Sequence, residues 1–281
     1  MIVKLFTMVK DEVDIVEEWI QYHGIIFGFH NLYIVDNNST DGTLDILKKY
    51  TSTGVKIFHE SDYKRKGIVM TQLINDPRCG KYDIAYPIDI DEFIVYYDKK
   101  SNTIDPNRVY SYMRTLLPNK NLLFQKNTIF KANFINSMIS NNSATGYNNA
   151  VIEAQWGDYC DMKTMAKSFF NKHTWKGSVD HGNHCNNETY ILTDLCLVHY
   201  HSRNLEQHRK KVINNVKGLG YDYLNLPALK NVPPKCEGIH HVKHMIRILE
   251  NTYNINTNYQ HKSSDIDLSP LSGFICKLPR I

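Results

Sequence analysis

Ile84-Ala85-Tyr86-Pro87-Ile88-Asp89-Ile90-Asp91-Glu92-Phe93-Ile94-Val95 is an apolar run that abruptly takes on three carboxylates. Its Ile, Val, Tyr and Phe suit a pleated surface, so the run reads as one buried strand. Buried strands tolerate unpaired charge poorly. Asp89 and Asp91 stand two apart, which on a strand puts them on one face. Two carboxylates there repel each other unless a cation sits between them. On that reading, removing one acid leaves the metal-free protein no less stable. Hard oxygen donors of this kind suit Mg²⁺ or Mn²⁺, with a phosphate completing the shell. The same pattern also describes a strand end where three acids simply meet water.

Working outward, the chain before this run alternates strand and helix patterns. Ile2–Val9 reads as a first strand. Asp11 then stands as a helix N-cap, and Val13, Val16, Trp19 and Ile20 mark one helical face. Asn31–Val35 is a second strand that stops at Asp36-Asn37-Asn38-Ser39-Thr40-Asp41-Gly42-Thr43, which is turn and cap chemistry. A helix through Leu44–Tyr50, a third strand at Val55–His59, a basic turn Lys64-Arg65-Lys66-Gly67 and a helix over 68–74 lead to the acidic run. Strand and helix alternating over about 90 residues argues for βαβ units and a parallel sheet. Ligands of such sheets sit at the carboxyl ends of the strands, so Thr7–Lys10, Asp36 and Asp89–Asp91 are expected on one crevice.

Beyond it the pattern loosens. Pro106–Leu117 reads as a helix, Leu122–Ile135 as a strand and Asn136–Asn149 as a loop. Ala166–Phe170 is a short ordered piece and Thr193–His201 a strand. Leu205–Tyr221 is a basic helix, Gly238–Tyr253 a helix with His240, His241 and His244 at its surface, and the tail an irregular arm. One continuous domain is expected, regular over residues 1–100 and less regular over 101–281.

Composition narrows the field. The 281 residues are 42% apolar, enough for a sizeable core, and the net charge of +4 is too mild for a nucleic-acid protein but suits an anionic small substrate. No run of about 18 apolar residues exists, so no membrane span is expected. Met1–Val9 is short and broken by Lys4, which reads as a strand rather than a signal peptide. The six cysteines have no paired spacing, which fits reduced thiols. A cytoplasmic setting follows as the expectation.

Taken as a set, Thr7-Met8-Val9-Lys10-Asp11-Glu12, Val35-Asp36 through Thr43, and Ile88-Asp89-Ile90-Asp91-Glu92-Phe93 resemble a family 2-type glycosyltransferase of the GT-A fold, an α/β sheet that is mainly parallel and flanked by helices. Lys167-Ser168-Phe169-Phe170, His181-Gly182-Asn183-His184 and Val198-His199-Tyr200-His201-Ser202-Arg203 resemble the branch related to glycosyltransferase family 92. Residues 225–281 resemble nothing nameable.

The resemblance implies a sugar transferred from a nucleotide sugar, a UDP-sugar, to a hydroxyl on a glycan, protein or small molecule, with Mn²⁺ or Mg²⁺ as cofactor. Thr7, Lys10, Glu12, Asp36, Asn38, Arg65 and Asp89 would hold the donor, Asp36 at the uracil or ribose. Asp89 and Asp91 would form the DxD motif, and His199 or His201 would add a later metal contact. Carboxylate and imidazole both suit Mn²⁺. An inverting enzyme also needs a carboxylate base, for which Asp180 and Asp158 are the candidates in the right region. Trp156 and Trp175 are candidates for stacking on sugar rings.

Plainer readings remain open at this level. Lys64–Lys66 also fits a solvated turn, and His199 or His201 a core histidine beside Leu197. His181, His184, Cys185, His199 and His201 contain the donors of a zinc site, though not at a finger's spacing. A nucleotidyltransferase would want a glycine-rich loop after the first strand, and Thr7–Glu12 has no glycine. An inactive sugar- or nucleotide-binding relative and a Mg²⁺ phosphohydrolase also stay open.

Overall fold

The computed structural model describes residues 1–117, 129–138, 149–162, 166–175, 177–185, 189–201, 203, 205–236, 238–252 and 262–279. Its centre is one mixed sheet. Four strands, β1 (Val3–Val9), β2 (Leu32–Asp36), β3 (Lys56–His59) and β4 (Ile84–Pro87), form a parallel block in the order β3-β2-β1-β4. The register sets Val9 against Asp36, so β1 and β2 end level, and Phe6 against Pro87, so β4 stops short of the end of β1 and the turn after it runs on beside β1, with Ile88 N donating to Phe6 O. Between these strands run helices α1 (Val16–Phe27), α2 (Thr43–Lys49) and α3 (Lys66–Asn75). This is the α/β arrangement that the alternating patterns predict.

Period-two alternation builds two cores from one strand. Val3, Leu5 and Val9 of β1 pack on the α1 face with Trp19, Ile20 and Tyr22. Phe6 and Met8 pack on the other face with Met70 and Ile74 of α3. Helix α1 begins later than expected. Asp11 does not cap it: its backbone is left-handed at φ 54°, and its carboxylate accepts from Thr40 N at 2.6 Å. The first turn hangs from Glu12 O instead, which accepts from Ile15 N and Val16 N.

The acidic run is two strands, not one. β4 ends at Pro87, and β5 (Glu92–Asp98) begins after a turn over 88–91. That turn is closed by Glu92 N donating to Asp89 O at 3.1 Å. Asp89 N donates in return to the Glu92 side chain at 2.8 Å. Asp89 and Asp91 thus occupy the link between two strands, Glu92 opens the second, and β5 leaves to join a different part of the sheet. There it pairs antiparallel with β6 (Thr103–Asp105) and β10 (Ile191–His199).

The rest of the sheet runs β4-β9-β7-β10-β5-β6, with β7 (Ile129–Ser137), β8 (Trp156–Cys160) and β9 (Lys167–Asn171) antiparallel to their neighbours except for the parallel β7–β10 pair. Residues 122–128 of the expected strand and 139–148 of the expected loop lie outside the described residues. Helix α4 (Val109–Leu116) follows a 3₁₀ turn at Pro106–Arg108, and the short α5 is Ala150–Glu153. Helices α6 (Leu205–Gly218), α7 (Leu226–Lys230) and α8 (Ile239–Leu249) form a small cluster of their own around Val212, Val216, Val242 and Met245. The tail is more regular than an arm. β11 (Ile266–Asp267) pairs with β8, and α9 (Ser269–Cys276) buries Leu271 and Ile275 in the main core. Among the described residues no helix is long and apolar enough to cross a membrane.

Candidate active site

A cleft of about 980 Å³ opens at the carboxyl ends of β1, β2 and β4. Met8, Lys10 and Glu12 line it from the end of β1, Asn37 from the end of β2, and Asp89, Ile90 and Asp91 from the β4–β5 turn. The second half closes it with His181, Gly182 and His184, with His199 and His201 at the end of β10, and with Lys211 and Asn214 of α6.

Asp89 and Asp91 do not face each other across a strand; the turn sends each to its own cations. Asp89 accepts from Lys66 at 2.7 Å, from Lys167 at 2.9 Å and from Asn183 Nδ2 at 3.0 Å. Burial alone would raise its pKa, but the two ammonium groups outweigh that and hold it well below the usual range. Lys167, on β9, also pairs with Glu92 at 3.0 Å and donates to Gly182 O at 2.8 Å. Burial outweighs that lysine at Glu92 and raises its pKa.

Asp91 is 2% exposed. It pairs with Lys211 and lies 3.5 Å from His199 Nε2. Burial again opposes ionisation, and Lys211 and His199 overcome it, so the carboxylate stays charged far into acid. The backbone of the turn is fixed from the same side: Tyr200 N, just after β10, donates to Asp91 O at 2.9 Å. Removing the Asp91 charge therefore strands a lysine. The relief of repulsion expected from the spacing does not apply, because neither acid lacks a counter-charge.

One carboxylate oxygen of Asp91 and one ring nitrogen each from His199 and His201 lie within 4.8 Å of one another, the one such group of three among the described residues. Burial keeps His201 neutral, pushing its pKa well below that of a free imidazole, and a neutral imidazole is the form that ligates metal. One carboxylate and two imidazoles make a donor set that Mn²⁺ accepts. The residues fit a divalent cation. Asp89 stands outside this group. So do His181, His184 and Cys185: His181 bonds Lys64 O at 2.6 Å, His184 meets Asp180, and Cys185 N donates to Ser168. The five donors named for a zinc site are not gathered into one.

Helix α6 lies over the strand ends as a basic lid. Asn214 stands four residues after Lys210 and three after Lys211, so it neighbours each of them on the helix surface. Lys210 reaches Asp41 at 3.1 Å and Asn214 reaches Asp11 at 2.9 Å. Lys211 lies on Asp91, with Glu12 3.9 Å away. Just before the helix, the buried Arg203 pairs with Glu12 and, at 2.7 Å, with Asp14. Burial outweighs Arg203 and Lys211 at Glu12 and raises its pKa.

The remaining expected donor residues divide. Lys10 lines the cleft, although its Nζ donates to the carbonyls of Asn37 and Asn38, both at 2.9 Å. Asp36 is turned into its own loop, where Ser39 N donates to it at 3.3 Å, and Asn37 faces the cleft in its place. Asn38 is exposed at φ 54°. Thr7 is fully buried inside β1. Of the basic turn, Lys64 and Lys66 reach the cleft, while Arg65 faces away onto Glu60 at 2.8 Å. Gly67 matters here: a Cβ would sit 2.8 Å from Val179 O, so only glycine lets segment 179–182 approach α3 and set Gly182 against Lys167.

Neither candidate base is among the residues that line the cleft. Asp158 is exposed on β8. Asp180 accepts from His184 N at 2.8 Å, which ties it into its own turn. Trp175 is 1% exposed and stacks on Phe170 at 4.2 Å, so it belongs to the core rather than to a sugar platform. Trp156, on β8, is also absent from the lining.

What the patterns miss is His208 and the cleft position of His240 and His241. Rings run in sequence from His199 to His201 at 5.2 Å, to His208 at 5.7 Å and to His244 at 5.6 Å, and His240 and His241 line the cleft. Burial drives His208 down to about 4 and His241 to about 3, so both are neutral near pH 7. The i, i+4 pair His240–His244 was the visible signal, and a helical wheel alone puts it on a surface.

No protein-family model matches the chain. No curated protein matches it either. Among solved structures it is similar to a cytidylyltransferase from Leptospira borgpetersenii, at 11% identity and TM-score 0.34, over 61% of each chain; it thus spans under two thirds of that protein. It is also similar to glucosyl-3-phosphoglycerate synthase from Mycobacterium tuberculosis, solved with Mn²⁺, uridine diphosphate and glucosyl-3-phosphoglycerate, at 13% identity and TM-score 0.42, over 79% of this chain and 81% of that one. A third is a mannosyltransferase from Pyrobaculum calidifontis, in complex with GDP-mannose and Mn²⁺, at 14% identity and TM-score 0.38, over 89% and 72%.

Proposed function

We propose that this protein is a metal-dependent glycosyltransferase of the GT-A type that moves a sugar from a nucleotide sugar, a UDP-sugar, to a hydroxyl acceptor. The observation that carries the reading is the Asp91–His199–His201 group on a cleft at the carboxyl ends of a parallel block. Donor phosphates find what they need there: a divalent-cation donor set, with Lys10 and Lys64 on the lining.

Asp91, His199 and His201 would hold Mn²⁺ or Mg²⁺, which when bound neutralises charge on a leaving diphosphate. The chain's own part is positional. Lys66, Lys167 and Asn183 hold Asp89 and so brace the turn that presents Asp91. The base and ribose of the donor lie in residues 1–100, along Asn37 and the loop that Asp36 shapes. The acceptor, a glycan, protein or small molecule, enters from 101–281, against His181, His184, His240 and His241.

Calorimetric titration of UDP, GDP, CMP and ADP, each with and without Mn²⁺, tests this. Mn²⁺ should tighten UDP binding. Tighter binding of GDP than of UDP overturns the base assignment. If no nucleoside diphosphate binds in the presence of Mn²⁺, the glycosyltransferase reading itself falls.

A further inference from the structure

The carboxylate that would take the metal already has a cation. Lys211 Nζ lies on Asp91 Oδ2, the same oxygen that faces His199 at 3.5 Å. A divalent ion on Asp91, His199 and His201 and an ammonium at that oxygen would be neighbours of like charge, in a pocket where Asp91 is 2% exposed and screening is weak. They exclude each other.

A second position for the ammonium is built beside the first. Glu12 Oε1 lies 3.9 Å from Lys211 Nζ, while the other oxygen of Glu12 is taken by Arg203. The helix need not move for the exchange, because Lys210 on Asp41 and Asn214 on Asp11 pin α6 on either side of Lys211. Lysine suits the role: its point charge sits on a flexible four-carbon stem.

We propose that Lys211 and a divalent cation are alternative occupants of Asp91, and that cation entry moves the Lys211 ammonium onto Glu12. The proposal rests on the metal reading of the Asp91 group. Lys211 is a positioning residue here: it keeps the buried carboxylate neutralised while the metal is away, and it sets how tightly the metal binds. Metal alone binds weakly, since it must displace an ion pair. A diphosphate strengthens metal binding, because its negative charge offsets both cations at once.

Calorimetry of Mn²⁺ without nucleotide, on the full chain, reads this without any turnover. Lys211→Met should bind Mn²⁺ about tenfold more tightly than the wild type, because the competing charge is gone. Lys211→Arg, which keeps the charge, should bind as the wild type does. Lys211→Gln serves in place of the Met variant should that one fail to melt cooperatively. Asp91→Asn should abolish Mn²⁺ binding in either background. Unchanged or weaker Mn²⁺ affinity in Lys211→Met, with Asp91→Asn still abolishing binding, overturns the exchange and leaves the metal reading standing. Absence of Mn²⁺ binding in both wild type and Lys211→Met, or its persistence in Asp91→Asn, overturns the metal reading and the exchange with it.

Discussion

The parallel block and the α6 lid contribute to one cleft in opposite ways. The block supplies acids at short, locally determined turns: Asp11 and Glu12 after β1, Asp41 after β2, Asp89 and Asp91 between β4 and β5, and Glu92 at the start of β5. The far half of the chain supplies cations and imidazoles: Lys167, His199, His201, Arg203, Lys210 and Lys211. Many of these pairs are separated by more than 70 residues, as with Lys167 and Asp89, 78 apart, or Arg203 and Glu12, 191 apart. A carboxylate-rich crevice alone is self-repelling, and a buried lysine alone is unstable. Each region is the condition for the other's burial.

Arg203→Ala should have the largest effect. It leaves Glu12 and Asp14 without their buried partner and should cost about 3–5 kcal/mol of stability in urea unfolding. A loss under about 1 kcal/mol would mean that the lid is not what compensates the block's acids.

Asp91→Asn should lower transfer by roughly 10²–10³, equivalent to about 3–4 kcal/mol in the transition state. It should also lower the melting temperature, because Lys211 loses its carboxylate. A variant that melts at or above the wild type and keeps its turnover removes Asp91 from both roles.

His23 probes the block from inside. It is fully buried on α1, and its ring bonds Trp19 O at 2.9 Å and accepts from Ile94 N at 3.4 Å. Burial drives its pKa down to about 3, below its value in the unfolded chain. The unfolded chain therefore takes the proton first, and this contribution to stability is lost as pH falls from about 6.5 toward 3. Between pH 6.5 and 5 that amounts to roughly 2 kcal/mol. His23→Gln should flatten the acid limb of the stability profile by that amount. An unchanged limb would assign the loss to His208 of α6 and His241 of α8 instead.

The smallest effect belongs to Asp158→Asn. Asp158 is exposed on β8 and away from the cleft, so stability should change by less than about 0.5 kcal/mol and activity by less than about twofold. A large loss of activity would mean that the acceptor side extends to β8.

Much of the block could be read from residues alone. Alternation in Val3–Val9 and Leu32–Val35 gives both the strands and their two buried faces, because a pleat has period two. Asn, Asp, Ser and Thr in 36–43, whose side chains bond nearby backbone, and Gly42, which takes φ 99°, announce the turn after β2. Even the acidic run was legible as chemistry, though not as geometry: nothing in an apolar run marks the point where Glu92 folds back on Asp89 N and splits it into two strands. Asp36 shows the same limit, since an Asp at a strand end serves a ligand or its own turn with equal ease.

Which charges meet depends on the closed fold. Composition and period established an α/β chain with a parallel block, an acidic crevice at its strand ends and a basic helix late in the sequence. They placed Lys211 and Arg203 on or beside that helix, but not on Asp91 and Glu12. They put His240 and His241 on a surface, and the packing of α8 against α6 made that surface a wall of the cleft. The physical reason is range. Backbone periodicity and turn chemistry act over a few residues and are written locally, whereas an ion pair between residues 12 and 203 exists only after the sheet between them has closed.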